Sequence, residues 1–154
     1  MKKLLAALVI LFVLLPLCAR AAGTNTCQPP VTIGNGALAT MTVTCSFVGD
    51  ASTGVVPSAI VGAFPGWFPY QIDISPGTTA PTGYSMTLTF PIGSTNLDLM
   101  GGNGTGISAT AGTWQVLTFG GKGFRRNIGE TITLNVTNTT ASGNGSVTVS
   151  FIPQ

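Results

Sequence analysis

The chain has 154 residues, of which 44% are hydrophobic and only 6% are charged. It contains no histidine, so Ser-His-Asp and Cys-His nucleophiles cannot be assembled and imidazole metal sites are excluded. We therefore expect a non-enzymatic protein with no metal and no cofactor. The catalytic alternative is a glycosidase-like carboxylate pair, such as Asp73 with Asp98, which would have to meet in space.

The first 22 residues have the features of a secretory signal peptide. Lys2 and Lys3 provide the positive charge, Leu4–Leu17 provides the apolar run, and Ala19-Arg20-Ala21 provides the small residues of a cleavage site. An apolar run of this length is short for a hydrocarbon core of about 30 Å. We expect a signal helix that is cleaved and that contacts the membrane only during export. Acylation of Cys18 as in a lipoprotein is the alternative.

Cleavage changes both the charge and the number of cysteines. The full chain carries a net charge of +2, whereas residues 23–154 carry three cations and four acids, which gives −1. This balance removes the support for nucleic-acid binding. The two remaining cysteines, Cys27 and Cys45, predict a disulfide in an exported protein, although two free buried thiols would satisfy the sequence as well.

The mature chain is rich in Thr, Gly, Val, Ile and Ser, which favour strands and turns, and no segment has a convincing helical period. In chain order, the predicted strands cover residues 37–47, 69–75, 84–90, 96–100, 113–119, 130–136 and 145–152. We expect the last two to form a closing hairpin. Six to eight short strands between Gly and Pro turns predict one all-β domain over residues 23–154, an antiparallel β-sandwich of jelly-roll or immunoglobulin-like type.

Alternation along these strands predicts which side chains face the core. The predicted inward sets are Met41, Val43, Cys45; Tyr70, Ile72, Ile74; Tyr84, Met86, Leu88, Phe90; Ile132, Leu134, Val136; and Val147, Val149, Phe151.

The strand at 84–90 carries an uncharged side that includes Thr87 and Thr89. Hydroxyl groups tolerate water yet cost less to desolvate than charged groups. A sheet with so few charges also lacks the usual protection against pairing with another chain. We therefore interpret Thr87 and Thr89 as candidate interface residues, in a protein that packs against copies of itself or against other structural or surface proteins. A monomer with a solvated hydroxyl face is the alternative.

Two further segments are candidate contact sites. Residues 63–70, "AFPGWFPY", contain Trp67, Phe68 and Tyr70, which could plug one end of the core, anchor an interface or stack on a glycan. The loop "GGKGFRRN" gathers all positive charge of the mature chain, either as a solvated turn or as a tip for an anionic partner. Its candidate interface residues are Lys122, Phe124, Arg125 and Arg126.

Three motifs resemble small β-sandwich proteins from the structural-gene regions of tailed phages and prophages. They are the turn and strand "PG…PTGYSMTL" (76–88), the turn "DLMGG" (98–102) and the terminal strands from Leu134 to Phe151. The resemblance covers roughly residues 68–152. This chain has Ser85 where the family usually has Asp, and it carries an export signal that most such proteins lack. The resemblance implies a virion-type structural role. The export signal points away from a tailed-phage particle and leaves open a membrane-associated or extruded virus, or a bacterial surface protein with the same fold. A secreted adhesin or carbohydrate-binding module that uses residues 63–70 is the alternative.

Overall fold

The computed structural model describes residues 21–107, 113–116, 118–119, 122–123 and 128–153. Nearly all of the predicted signal peptide lies outside the described residues, as do Phe124, Arg125 and Arg126. Lys122 is described only by its backbone pairing with Phe119.

The described chain is built from strands joined by turns, with one short 3-10 turn at Gly36–Leu38. The strands are β1 (Thr24–Cys27), β2 (Val31–Ile33), β3 (Thr40–Val48), β4 (Ala59–Phe64), β5 (Trp67–Pro76), β6 (Ser85–Ile92), β7 (Thr95–Asp98), β8 (Thr113–Val116), β9 (Thr118–Phe119), β10 (Lys122–Gly123), β11 (Ile128–Thr137) and β12 (Asn144–Pro153).

These strands form two antiparallel sheets that pack against each other. Sheet A has the order β1-β3-β12-β5-β8, and β2 pairs with β3 on the same side as β1. Sheet B has the order β4-β11-β6-β7, and β9 pairs with β10 in a separate two-stranded ribbon. The inner faces of both sheets contribute to one hydrophobic core. The predicted all-β sandwich is therefore confirmed.

The core follows the alternation of the strands, because successive side chains of a strand point to opposite faces. Four of the five predicted inward sets are buried as expected, on β3, β6, β11 and β12 together with the residue that precedes β6. These residues are Met41, Val43, Cys45, Tyr84, Met86, Leu88, Phe90, Ile132, Leu134, Val136, Val147, Val149 and Phe151.

The fifth set, on β5, differs at one residue. Ile72 and Ile74 are buried, but Tyr70 is only half-buried and Pro69 is buried in its place. The register explains this, since Ser150 of β12 pairs with Gln71 while the next residue, Phe151, pairs with Pro69. Tyr70 is the extra residue of a β-bulge, which shifts the alternation by one position.

The predicted closing hairpin is wrong. Strand β11 pairs with β4 and β6 in sheet B, whereas β12 pairs with β3 and β5 in sheet A. Each strand already has a neighbour on both sides, so neither is free to pair with the other. Residues 138–143 instead carry the chain across the sandwich, and both Asn138 and Ser142 adopt positive φ there, at 59° and 57°.

The sandwich has more strands than the predicted six to eight, because β1, β2 and β4 were not predicted. Strands β1 and β2 are short and lie at an edge of sheet A, where most of their side chains are exposed and no buried stripe is needed. Strand β4 contains Gly62 and stands between Pro57 and Pro65, so it resembles a loop in sequence.

The predicted disulfide between Cys27 and Cys45 is confirmed. The two cysteines lie directly opposite each other on β1 and β3, with an S–S distance of 2.00 Å. The bridge fastens the N-terminal strand to the edge of sheet A. By restricting the unfolded chain it stabilises the fold by about 3 kcal/mol.

Candidate interaction surfaces

We call face A the part of the outer side of sheet A that is formed by the outward residues of β2, β3, β12 and β5. Residues that pair directly across antiparallel strands point to the same side, so the register defines four successive rows. Strand by strand, the members of face A are Val31 and Ile33; Thr40, Thr42, Thr44 and Ser46; Ser146, Thr148, Ser150 and Ile152; and Phe68, Gln71, Asp73 and Ser75.

One end of face A is apolar. Ile33 is 67% exposed and lies opposite Thr40, while Ile152 is 41% exposed and lies opposite Phe68. Val31, also exposed, occupies the next row on β2. Because Phe151 pairs with Met41, the following residue Ile152 continues the same row as Thr40. Ile33, Ile152 and Phe68 therefore lie along one line across four strands.

The rest of face A is polar but nearly uncharged. The hydroxyl oxygens of Thr44 and Thr148 lie 3.0 Å apart, across the β3–β12 pair. Asp73 is the single ionisable side chain of face A, and Gln71 Nε2 donates to both of its carboxylate oxygens at 2.8 and 2.9 Å. Its charge is thus already engaged by a neighbouring amide.

An open concavity borders face A beside β3, where the chain passes from β1 to β2. It has a volume of about 460 Å³ and is lined by Gln28, Pro29, Pro30, Val31, Thr42 and Thr44. The Gln28 backbone N–H donates to the carbonyl of Thr44 at 2.8 Å, which holds this segment against the sheet.

The outer side of sheet B, face B, is organised around Asn135. Its side-chain oxygen accepts a hydrogen bond from Ser58 Oγ at 2.6 Å, and its Nδ2 donates to the hydroxyls of Thr87 and Thr89, each at 3.4 Å. The candidate interface residues Thr87 and Thr89 are therefore half-buried members of an internal network. The large apolar side chain exposed on this face is Ile60, at 69%.

The aromatic stretch divides between the core and the surface. Trp67 is partly buried and packs against the core cluster, as expected of a plug, and the ring of Phe64 lies 4.9 Å from that of Phe151. Phe68 lies instead on face A, opposite Ile152. Tyr70 is half-buried at the β-bulge. The three aromatic candidates are thus not presented together on one platform.

Asp73 and Asp98 lie on different sheets and do not meet. Asp73 lies on the outside of β5 in sheet A, whereas Asp98 ends β7 in sheet B and accepts hydrogen bonds from the backbone N–H groups of Met100 and Gly102, at 3.0 and 2.9 Å. Asp98 thus serves to hold its own turn. Within the part of the chain that the structure describes, no cluster of His, Cys, Asp and Glu could hold a metal ion.

Asp50 likewise belongs to a turn. Its Oδ1 accepts hydrogen bonds from the hydroxyl and backbone N–H of both Ser52 and Thr53, at 2.7 to 3.0 Å. These bonds, the Ser52 hydroxyl first among them, favour the ionised form and hold the pKa of Asp50 well below its usual value.

Tyr84 is the largest fully buried side chain. Its ring lies 5.8 Å from that of Phe47, which joins the two sheets in the core. Its hydroxyl has no hydrogen-bond partner among the described residues, and burial raises the pKa of Tyr84 to about 12. This is a polar atom placed in an apolar site.

Sequence reasoning named Phe68 as a candidate interface residue but missed the apolar end of face A. The available signal was the alternating "VTI" at residues 31–33, between Pro30 and Gly34, which suits a short edge strand. No sequence period could show that Ile33 and Ile152 share a row, because that depends on the pairing of three strands.

A scan against models of protein families, a search of curated proteins and a search of solved structures found no match for this chain. The resemblance to phage structural proteins therefore remains a prediction from the three motifs. Among residues 21–107 and the other described segments, no helix has the length and hydrophobicity required to cross a membrane.

Proposed function

We propose that this protein is an exported, non-enzymatic structural or assembly subunit, of the virion or cell-surface type, which acts through protein–protein contacts. The observation that carries the proposal is that the outer faces of the two described sheets are nearly uncharged. Face A has one acid, Asp73, which is already bonded to Gln71. On face B, Asn135 bonds to hydroxyl groups, and Asp98, paired opposite Thr89, is engaged by backbone N–H groups of its own turn. Such surfaces are desolvated at lower cost than charged ones.

Export is part of the proposal and rests on two independent features. The Cys27–Cys45 disulfide is compatible with an oxidising compartment, and the N-terminal sequence has the composition of a signal peptide. Intact-mass analysis of the protein from its producing cells tests this part. The expected mass corresponds to a chain that begins near residue 22 or 23 and is two hydrogens lighter than the reduced form. A full-length, reduced chain would contradict export.

The structural role is tested by the native size of the protein in its producing cells. We expect the mature protein to cosediment with a particle, a filament or a defined oligomer, with its identity established by mass spectrometry. A protein recovered only as a free monomer, also at high concentration, would overturn the assembly role.

A secreted binding module is the second candidate, and the placement of Phe68 on face A favours it. An aromatic ring on a flat sheet can stack on a sugar. Against this, Trp67 packs towards the core, so a glycan platform would rest on Phe68 alone among the three aromatic candidates. Glycan-array binding that is lost in Phe68→Ala, with the protein monomeric, would favour this candidate over an assembly subunit.

A further inference from the structure

A twofold contact would bring the apolar end of face A against itself. In a twofold, face-to-face contact each residue meets a different residue of the second copy, and the reverse contact follows by symmetry. We place the twofold axis parallel to the strands, between β3 and β12. Each row of one copy then lies over the same row of the second copy, with the strand order reversed. Ile33 then lies over Phe68, and Thr40 lies over Ile152.

The polar rows are also complementary under this symmetry. Asp73 of one copy lies over the segment next to Thr44 of the second copy. This segment contains Gln28 and lines the concavity of about 460 Å³. The primary amide of Gln28 is a suitable donor for a carboxylate. Each Asp73 is one and a half strand spacings from the axis, so the two carboxylates stay about 14 Å apart across the interface and like charges are not opposed.

The size of face A suits a small, reversible dimer contact. Its four rows cover seven residues of β12, from Ser146 to Ile152, which at ~3.3 Å per residue gives a length of about 23 Å. Four strand positions with a spacing of ~4.8 Å give a width of about 19 Å. The footprint is therefore roughly 440 Å² on each partner, which is below the ~600–1,000 Å² of standard interfaces and typical of weak, transient association.

The described edges of the sheets are less suited to association than their faces. Pro29 and Pro30 interrupt the edge formed by β1 and β2, and proline cannot donate a ladder hydrogen bond. Strand β4 pairs with β11 through two irregularities, and the edge strands β7 and β8 have only four residues each. Bulges and short strands discourage edge-to-edge pairing.

We propose that two copies of this chain pack face to face through face A, with Ile33, Ile152 and Phe68 as the apolar anchors. This inference rests on the proposed assembly function and assigns it a surface and a partner.

The test compares two lysine variants of the mature, disulfide-bonded protein. Ile33→Lys places a charge at the apolar end of face A, and Ile60→Lys is the matched control on face B. Both residues lie on edge strands and are similarly exposed, at 67% and 69%, so neither change should affect folding. Sedimentation equilibrium measures the dimer dissociation constant of each, and circular dichroism verifies the fold.

Loss of one Ile33 contact should weaken binding about tenfold, and the twofold axis places two such contacts in each dimer. We therefore expect Ile33→Lys to raise the dissociation constant by about 100-fold. Ile60→Lys should leave it within about twofold of wild type. Ile152→Lys, at the next anchor, should behave as Ile33→Lys does. This second variant keeps the test valid if Ile33→Lys fails to fold.

Three results would overturn the inference, and they separate it from the proposed function. If the wild type dimerises and neither Ile33→Lys nor Ile152→Lys weakens it, face A is not the interface although the protein still assembles. If Ile60→Lys or Thr87→Lys dissociates the dimer, face B is the interface. If the wild type is a monomer at every concentration and in its producing cells, both this inference and the assembly function fail.

Discussion

Faces A and B are built from similar residue types but use them differently. On face B the side chain of Asn135 connects Ser58, Thr87 and Thr89, so its hydrogen-bonding groups are directed at one another. On face A one hydroxyl pair and one amide–carboxylate pair are formed, and one end presents Ile33 and Ile152 to solvent. Face B shows that a polar face stabilises its own sheet when its groups bond to one another. Face A indicates that a polar face is available to a partner when exposed apolar side chains lie next to it.

The largest expected effect comes from the Cys27–Cys45 disulfide, which joins β1 to β3 at the edge of sheet A. Replacement of Cys27 and Cys45 by serine together removes the bridge between β1 and β3. We expect the free energy of unfolding to fall by about 3 kcal/mol, because the unfolded chain gains freedom. Urea denaturation at constant pH measures this change. An unchanged midpoint would show that β1 is held by its backbone hydrogen bonds alone.

The next effect tests whether face B stabilises its own sheet. Asn135→Ala removes the amide that joins three hydroxyl groups, and we expect a loss of about 1–2 kcal/mol. On face A, Thr148→Val removes only the hydroxyl pair with Thr44 and should cost about 0.5–1 kcal/mol. Chemical denaturation of the two variants side by side gives both values. A greater cost for Thr148→Val would reverse the contrast between the faces.

A smaller effect of opposite sign is expected in the core that separates the faces. Tyr84→Phe removes a buried hydroxyl that has no partner among the described residues, while the ring keeps its contact with Phe47. An unpaired buried hydroxyl costs free energy, so the variant should be more stable by about 1 kcal/mol. Thermal denaturation followed by circular dichroism measures it. A clear loss of stability would mean that the hydroxyl is hydrogen-bonded.

The smallest effect is a dependence on acid pH from the Asp50 turn. Because the pKa of Asp50 is lower in the folded chain than its ordinary value of about 3.9, ionised Asp50 stabilises the fold above that pH. This contribution is lost progressively as the pH falls below about 4 towards the folded pKa. Asp50→Asn should therefore show a shallower decline of stability over this range than wild type. Equal slopes would contradict the assignment.

Much of the fold is predictable from alternation, because a strand with one buried side repeats every two residues. Leu88, Leu134 and Val149 are buried for this reason, and the Cys27–Cys45 pair follows from an even cysteine count in the mature chain. The error at Tyr70 arose because a bulge shifts the alternation, and nothing in the local sequence marks the pairing partner.

The connection between sheets was harder to predict than the strands themselves. Strands β11 and β12 have the pattern and spacing of a hairpin. Every strand of the chain competes for pairing partners, however, and each of these two pairs with two other strands. The apolar end of face A was missed for the same reason. Ile33 and Ile152 are far apart in sequence and share a row only through the register of β3.

The most direct test of the account is the ratio of dimer dissociation constants for Ile33→Lys and Ile60→Lys, measured by sedimentation equilibrium under identical conditions. The account predicts a ratio of about 50–100, with the control indistinguishable from wild type. A ratio near one, in a wild-type protein that dimerises, would contradict the assignment of face A as the contact surface.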